Sequence, residues 1–104
     1  MNPTTLNALA EPNRLLIIEL LREGPLSVGE IAERLHLRQP QASKHLKFLS
    51  EAGLVEVRAE ANRRIYRLRP EPLMEMDEWL ESFRGMWEER FDKLEVVMKN
   101  YKNT

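Results

Sequence analysis

The chain contains no cysteine among its 104 residues, and this absence excludes disulfide bonds, thiol nucleophiles, thiolate metal sites and a cysteine redox switch. It also lacks a long apolar run, because no stretch approaches the roughly 18–20 apolar residues that span a bilayer. The start of the chain has no basic patch followed by an apolar segment. We therefore expect a cytoplasmic protein without membrane contact, built as a single domain over residues 1–104.

The sequence also lacks a recognisable catalytic constellation. Acidic residues such as Glu88 and Glu89 could be imagined as an acid/base pair, but no nucleophile, metal ligand or oriented histidine accompanies them. We interpret them as a solvated helix face. The sequence predicts neither an enzyme nor a cofactor.

The net charge of −1 conceals two oppositely charged regions. Residues 34–69 carry nine Lys/Arg against three Asp/Glu, which gives +6. Residues 71–98 carry three against nine, which gives −6. A basic middle is typical of a surface that meets nucleic acid, even when the total charge is near zero.

Two apolar segments open the chain. Residues 4–10 place Leu6 and Leu9 on one side, which predicts a short amphipathic helix. Residues 12–23 are apolar nearly all round, which predicts a central buried helix that ends at Gly24.

A capping-box pattern begins the next helix. The Ser27 side chain can accept the backbone N–H of Glu30, whose carboxylate can reach back to the Ser27 N–H. This helix is expected to end near His36, and another is expected from Gln39 to Ala52. Two short helices joined by a tight turn, the second polar at its front, are typical of a helix-turn-helix.

The second of these helices has an apolar back and a polar, cationic front. Ala42, Leu46 and Leu49 fall at helical spacing and mark the buried face. Gln41 and Lys44 are the expected base readers, because Gln can pair with adenine and Lys with guanine. The other residues expected to contact DNA on this front are Arg38, Gln39, Ser43, His45 and Lys47. Of these, Ser43, His45 and Lys47 are expected to contact phosphates.

Two of the candidate DNA contacts have alternative interpretations. His45 could instead be hydrogen-bonded within the helix-turn-helix at its half-buried edge. Ser27 could act only as a helix cap, or its helix N-terminus could present backbone N–H groups to a phosphate. Both alternatives stay open from the sequence.

A β-hairpin is predicted after Gly53. Residues 54–58 and 64–68 form two strand patterns, and Asn62 in the connection is the expected residue with positive φ. The hairpin is a basic wing beside the polar helix. Its expected DNA contacts are Arg58, Arg63 and Arg64. Arg63 and Arg64 lie at the predicted tip, where they would enter the minor groove or hold phosphate.

The end of the chain predicts one long helix over residues 72–101. Its apolar stripe is too long for the remaining compact unit to cover, so a second copy is the expected partner. The aromatic part of the stripe could alternatively line a pocket for an unknown small-molecule effector. The expected dimer interface comprises Leu6, Leu9, Leu73, Met76, Leu80, Phe83, Trp87, Phe91 and Leu94.

These elements predict a mainly α fold with a small β-hairpin wing, a winged helix-turn-helix, that dimerises through its first and last helices. The chain resembles the ArsR-type winged helix-turn-helix repressors. The resemblance rests on the segments LSVGEIAERL, LRQPQASKHLKFLSEAGLV and VRAEANRRIYRL, followed by PEPL. The tail WLESFRGMWEERFDKLE further resembles the branch encoded beside START-like proteins.

The resemblance implies a homodimer that binds double-stranded operator DNA and represses transcription. It does not imply a metal site here. Ser27, Val28 and Gly29 stand where thiolate sensors carry Cys-Val-Cys, and the last helix has no His. The competing hypothesis is a winged-helix adaptor that binds a protein instead of DNA.

Overall fold

The computed structural model describes residues 2–102, and of residues 96 and 100–102 the backbone alone. A mainly helical chain with a small antiparallel sheet is confirmed. No helix in this part of the chain combines the length and apolar character needed to cross a membrane. The elements in chain order are α1 (Pro3–Leu9), α2 (Pro12–Leu21), β1 (Leu26–Ser27), α3 (Val28–Leu35), α4 (Gln39–Glu51), β2 (Val55–Glu60), β3 (Arg63–Leu68), α5 (Glu71–Glu81) and α6 (Arg84–Lys102).

Helix α1 packs against its own chain through small side chains. Its buried residues are Thr5 and Ala8, whereas Leu6 is exposed and Leu9 is half-buried against the core. Small side chains at the contact let α1 lie close to α2. Leu6 is therefore available to a partner.

Helix α2 is buried along one face, not on all sides as its composition suggested. Ile17, Ile18 and Leu21 face the core, but Leu15 and Leu16 are 46% and 50% exposed. The expectation of an all-round buried helix is wrong for the single chain. An apolar side left in water is the signature of a helix that a second surface covers.

The core lies where α2, α3 and α4 meet the sheet. Its largest fully buried side chains are Ile17, Ile31, Leu46, Leu49, Leu54 and Val55, and Tyr66 joins them from β3. Neighbouring Ile65 points away and is half-buried, which agrees with the alternation of a strand.

The turn between α3 and α4 depends on a left-handed residue. His36 has φ 56° and its N–H donates to the Glu33 carbonyl, while the Leu37 N–H donates to the Ala32 carbonyl at 2.9 Å. This pair of hydrogen bonds is a Schellman ending. His36 therefore sets where α3 stops and α4 can start.

Helix α4 ends in the same way at Gly53, with φ 78°. The Gly53 N–H donates to the Ser50 carbonyl and the Leu54 N–H donates to the Leu49 carbonyl, each at 3.0 Å. Leu49 and Leu54 are both fully buried, so the apolar contact usual for this motif holds the entry into β2.

The sheet has three strands in the order β1-β3-β2, one more than the predicted hairpin. The added strand is only two residues long and pairs Leu26 with Tyr66 and Ser27 with Ile65. A two-residue strand has no detectable alternation, so the sequence pattern could not show it. Its pairing fixes the start of α3 against the wing.

The wing turn corrects the expectation for Asn62. The last strand pair is Glu60 with Arg63, so Ala61 and Asn62 form a two-residue connection, and Ala61 has the positive φ, 55°. The favoured two-residue hairpin turns, types I′ and II′, place positive φ at both central residues or at the first. Because the two strands extend to the Glu60–Arg63 pair, the residue that adopts positive φ is Ala61 and not Asn62.

We expect Ala61→Gly to stabilise the fold. A left-handed conformation costs a residue with a Cβ roughly 1 kcal/mol, and glycine lacks that penalty. The unfolding midpoint measured by circular dichroism should rise by about 3–6 °C for a domain of this size. Asn62→Gly is the matched control and should lower the midpoint or leave it unchanged, since Asn62 does not have positive φ.

The expected single helix over residues 72–101 is interrupted. Helix α5 ends at Glu81 and α6 begins at Arg84. The Ser82 hydroxyl donates to the Trp79 carbonyl, and the Phe83 N–H donates to the Leu80 carbonyl three residues back. A serine bonding back to its own helix and tighter i→i−3 bonds both bend helices. The interruption separates the part of the tail beside the core from the part beyond it.

Candidate nucleic-acid interface

The front of α4 begins without a side-chain N-cap, because Arg38 stands at the cap position. Instead, the Gln41 side-chain oxygen accepts the Arg38 backbone N–H at 3.1 Å. This is the return half of a capping box. The Gln41 carboxamide oxygen is therefore held at the helix start, while its NH₂ group stays available to donate.

The two faces of α4 divide as the spacing predicted. Ala42, Leu46 and Leu49 are fully buried. The exposed polar residues of the opposite face are Gln39, Gln41, Ser43, Lys44 and Lys47. This helix can enter a groove of DNA because its outward face carries donors and positive charge without a large apolar residue at its front.

A groove separates α4 from the wing. Ser43 and Lys47 lie on its helical wall, and Arg64 and Val57 lie on its wing wall. Arg58, on β2, is exposed as well. Cations on both walls fit a phosphate backbone that runs between the recognition helix and the wing.

Arg63 is not free at the wing tip. Its guanidinium donates to the Ser27 hydroxyl at 3.1 Å and pairs with the Glu30 carboxylate. Ser27 is itself buried and accepts the Glu30 N–H, so the predicted capping box is confirmed. We call Ser27, Glu30 and Arg63 the capping triad. It ties the wing to the start of α3, and sequence spacing gave no signal of this contact.

The capping triad lowers the pKa of Glu30 below its ordinary value. The largest cause is the hydrogen bond from the Ser27 backbone N–H, followed by the Ser27 side chain and then the charge of Arg63. All of these contacts favour the carboxylate over the neutral acid. The triad is therefore built on ionised Glu30.

We expect the stability that Glu30 contributes to depend on pH. Its folded-state pKa is depressed, so the contribution is complete above the unfolded value of about 4.3 and is lost as pH falls through the folded value. Thermal unfolding would be followed from about pH 6 to about pH 3. As the pH falls, the unfolding midpoint of the wild type should decrease more steeply than that of Glu30→Gln. Glu33→Gln is the matched control from the same helix, and it should retain the wild-type slope.

His45 lies on the side of α4 that meets the start of α2. Its Nδ1 is 3.7 Å from a Glu11 carboxylate oxygen, and its side chain is 21% exposed. Glu11 also accepts the Arg14 N–H as the N-cap of α2. This position favours the alternative in which His45 belongs to the helix-turn-helix and not to the DNA face.

Arg14 is a further positioning residue that sequence reasoning missed. Its Nε–H donates to the Ala8 carbonyl at 2.7 Å, and its guanidinium carbon lies 4.0 Å from the centre of the Phe48 ring. One side chain thus joins α1, α2 and α4 by a hydrogen bond and a cation–π contact. The sequence feature that could have indicated this role is the position of Arg14 within an otherwise apolar helix.

Most of the predicted dimer residues lie on the outside of the chain. Leu9 and Leu73 pack partly against the core, and Met76 is half-buried. A single chain leaves the other members in water, which is what an uncovered interface shows. These exposed members are Leu6, Leu80, Phe83, Trp87, Phe91 and Leu94.

The described residues include no group of three or more His, Asp or Glu side chains placed to hold a metal ion.

Trp79 and Phe83 pack edge to face, with ring centres 5.2 Å apart.

The arrangement defines a winged helix-turn-helix with a cationic groove between recognition helix and wing. The model of the arsR family of bacterial regulatory proteins matches residues 11–57. The transcriptional activator HlyU of Vibrio cholerae is 41% identical over 75 residues, 72% of this chain and 69% of HlyU. Its solved structure has a TM-score of 0.66, with 39% identity over 77% of this chain and 87% of that one.

Two further similar proteins are named a repressor and a homodimeric DNA-binding domain. The biofilm growth-associated repressor of Agrobacterium fabrum is 46% identical over 63 residues, 61% of this chain and 54% of the repressor. The homodimeric winged helix-turn-helix DNA-binding domain of Mb0332 from Mycobacterium bovis has a TM-score of 0.66 at 31% identity, covering 85% of this chain and 82% of that domain. The chain belongs to the ArsR family of bacterial transcriptional regulators.

Proposed function

We propose that this ArsR-family regulator is a repressor that binds double-stranded operator DNA as a homodimer. The observation that carries the proposal is the exposed polar face of α4 beside a groove lined by Lys47 and Arg64. An adaptor that binds only protein has no need of cations on both walls of such a groove.

Within this interface, Gln41 and Lys44 are the proposed base readers. Both are exposed on α4 and neither lines the wing groove, so each can meet a base edge when α4 enters a major groove. The proposed phosphate contacts, on the groove side or at the front of α4 and on the wing, are Arg38, Gln39, Ser43, Lys47, Arg58 and Arg64. His45 and the capping triad are assigned instead to positioning, because their polar atoms face other parts of the chain.

The homodimer is supported by the uncovered apolar residues of α1, α5 and α6 and by the homodimeric relative Mb0332. A two-fold dimer would place two recognition helices in successive major grooves about 34–36 Å apart. The operator is then expected to be a near palindrome. We assign Trp79 and Phe83 to packing and not to an effector pocket, since their rings already pack on each other.

Repression is proposed because a dimer bound across a promoter blocks polymerase, and one similar protein is named a repressor. Another is named an activator, so the direction needs its own test. A reporter placed behind the selected operator should lose expression when the chain is supplied and regain it with a Lys44→Ala variant. Rising expression with the wild type would instead identify an activator.

We also propose that the regulator works without a thiolate metal sensor, as the cysteine-free sequence implies. The tail WLESFRGMWEERFDKLE supports placing it in the branch beside START-like proteins. Zinc added in micromolar excess over the protein should leave its affinity for the operator unchanged. A release of DNA that zinc causes and a chelator reverses would contradict this part of the proposal.

The test of DNA binding is a selection from random duplexes, followed by gel shifts on the selected operator and on a scrambled duplex. We expect the operator to bind at least 10³-fold more tightly than the scrambled duplex, about the lower limit for specific regulators. Both affinities should fall steeply as salt rises, because bound phosphates release counterions. An adaptor would bind neither duplex even in low salt.

A further inference from the structure

A recess opens between the start of α3, the start of α4 and the wing tip. Ser27 and Gly29 line it from α3, Gln39 lines it from α4, and Arg63 and Arg64 line it from the wing. It therefore adjoins Gln39, one of the proposed phosphate contacts. A helix N-terminus beside arginines and a hydroxyl group is a favourable place for an anion, because all of these groups donate hydrogen bonds or carry positive charge.

The chain supplies an anion to these groups from α3 itself. The same Glu30 oxygen accepts the Ser27 backbone N–H at 3.2 Å and the Arg63 guanidinium. The guanidinium nitrogen that makes this ion pair also donates to the Ser27 hydroxyl at 3.1 Å. The Glu30 carboxylate thus takes the donors that a phosphate oxygen would take at this helix N-terminus.

The two adjacent arginines at the wing tip differ in their partners. Arg63 forms the ion pair with Glu30, whereas Arg64 has no acidic partner at ion-pair distance among the residues whose side chains the structure describes. Both arginines are exposed. Arg64 also lines the groove beside Lys47. The guanidinium of Arg64 is therefore available to a phosphate, and that of Arg63 is already bound.

Releasing Arg63 to DNA would cost more than breaking one exposed ion pair, which is weak by itself. Glu30 cannot leave with Arg63, because it still caps α3 through the Ser27 N–H. The backbone and side-chain hydrogen bonds of Ser27, followed by the charge of Arg63, lower the pKa of Glu30, so its carboxylate is ionised at neutral pH. A phosphate that approached Arg63 would meet this carboxylate at close range, and the two like charges would repel each other.

We propose that Glu30 withholds Arg63 from the phosphate backbone of DNA by binding its guanidinium in place of a phosphate oxygen. The inference rests on the proposed DNA binding and identifies a residue that limits it. Glu30 thereby lowers the sequence-independent part of the affinity, which comes mainly from cations at phosphates. A lower sequence-independent affinity reduces the time that the regulator spends on competing sites, of which a genome offers about 10⁶–10⁹.

The test is to remove the charge of Glu30 while keeping its shape. In Glu30→Gln the amide oxygen can still accept the Ser27 N–H, since glutamine also completes a capping box. Arg63 then becomes available to a phosphate in each protomer of the proposed dimer. We expect the variant to bind both the operator and a scrambled duplex about tenfold more tightly, with a log–log salt slope steeper by about 2. Gel shifts over a range of salt concentrations measure both quantities.

Two controls separate the release of Arg63 from a general loss of negative charge. Glu33→Gln makes the same charge change at an exposed position of α3, and it should tighten binding by less than about threefold without changing the salt slope. Glu30→Gln should also tighten binding by less than about threefold in an Arg63→Ala background, because no arginine is released there. In the matched Arg64→Ala background, the gain of about tenfold should remain.

A second measurement does not depend on a Glu30 variant. Arg63→Ala alone should keep the wild-type salt slope, because Arg63 is expected to contact no phosphate in the wild type. Arg64→Ala should make the slope shallower by about 2 for the dimer. Circular dichroism at the assay temperature confirms that each variant is folded. An equal decrease of the slope in the two arginine variants would show that Arg63 contacts phosphate and would overturn the inference.

The outcomes separate this inference from the proposed function. If the wild type binds the operator but Glu30→Gln gives equal gains with and without Arg63→Ala, the inference is overturned and DNA binding stays in place. A Glu30→Gln chain that is folded and has the wild-type affinity and salt slope also overturns it. A wild-type chain that binds neither duplex even in low salt contradicts the proposed function, and this inference with it.

Discussion

Lys44→Ala is expected to reduce operator affinity by 10²- to 10³-fold while weakening binding to scrambled DNA only slightly. Lys44 is exposed on α4 and does not line the wing groove, so it can reach a guanine edge when α4 enters a major groove. A good base contact discriminates by about 1–3 kcal/mol, and the proposed dimer makes the contact twice. The gel-shift ratio between operator and scrambled duplex measures this loss.

Lys47→Ala is the matched control for Lys44→Ala. Lys47 lies on the same helix, is also exposed, and lines the wing groove with Arg64. As a phosphate contact it should weaken both duplexes alike, and the log–log salt slope should fall by about 2 for the dimer. If the two variants lose specificity equally, the division of α4 into a base-reading side and a phosphate side is wrong.

The sequence was informative wherever local chemistry decides the structure. The Ser27–Glu30 capping box, the stop at Gly53 and the buried line of α4 all follow from residues within one or two helical turns. These patterns were sufficient to predict the helix-turn-helix and the position of its polar face.

The sequence was uninformative where the deciding contact is distant. Arg63 reaches Glu30 across 33 positions, so the wing tip was expected to be free for DNA. Strand β1 exists only because β3 pairs with it, and its two residues carry no pattern of their own. The positive φ at Ala61 depends on how far the two strands extend, which local preference for Asn could not reveal.

The tail shows the same limit in a helical segment. Continuous apolar spacing over residues 72–101 predicts one helix, but the helix is interrupted where the Ser82 hydroxyl donates to the Trp79 carbonyl and the Phe83 N–H donates to the Leu80 carbonyl. Serine inside a helix does this only in some surroundings, so the spacing alone could not decide. The interruption separates the tail's apolar stripe into a part beside the core and a part that α6 carries beyond it.

Leu46→Ala is expected to cost the fold about 2–5 kcal/mol, because it removes a fully buried side chain and leaves a cavity. Leu46 lies on the back of α4 and packs in the core with Ile17, Ile31 and Leu49. The total stability of a small domain is about 5–15 kcal/mol, so the variant loses a large fraction of it. The unfolding midpoint should fall by at least about 10 °C.

Two comparisons separate the effect of packing from the effect of altering the DNA-binding helix. Leu46→Met keeps most of the volume and should cost less than about 1.5 kcal/mol. Lys47→Ala changes the adjacent exposed position and should leave the midpoint within about 2 °C of the wild type. Operator binding by Leu46→Ala should recover at low temperature in step with its folded fraction, because the polar face of α4 is unchanged. An unaltered midpoint in Leu46→Ala would mean that α4 is not anchored through this residue.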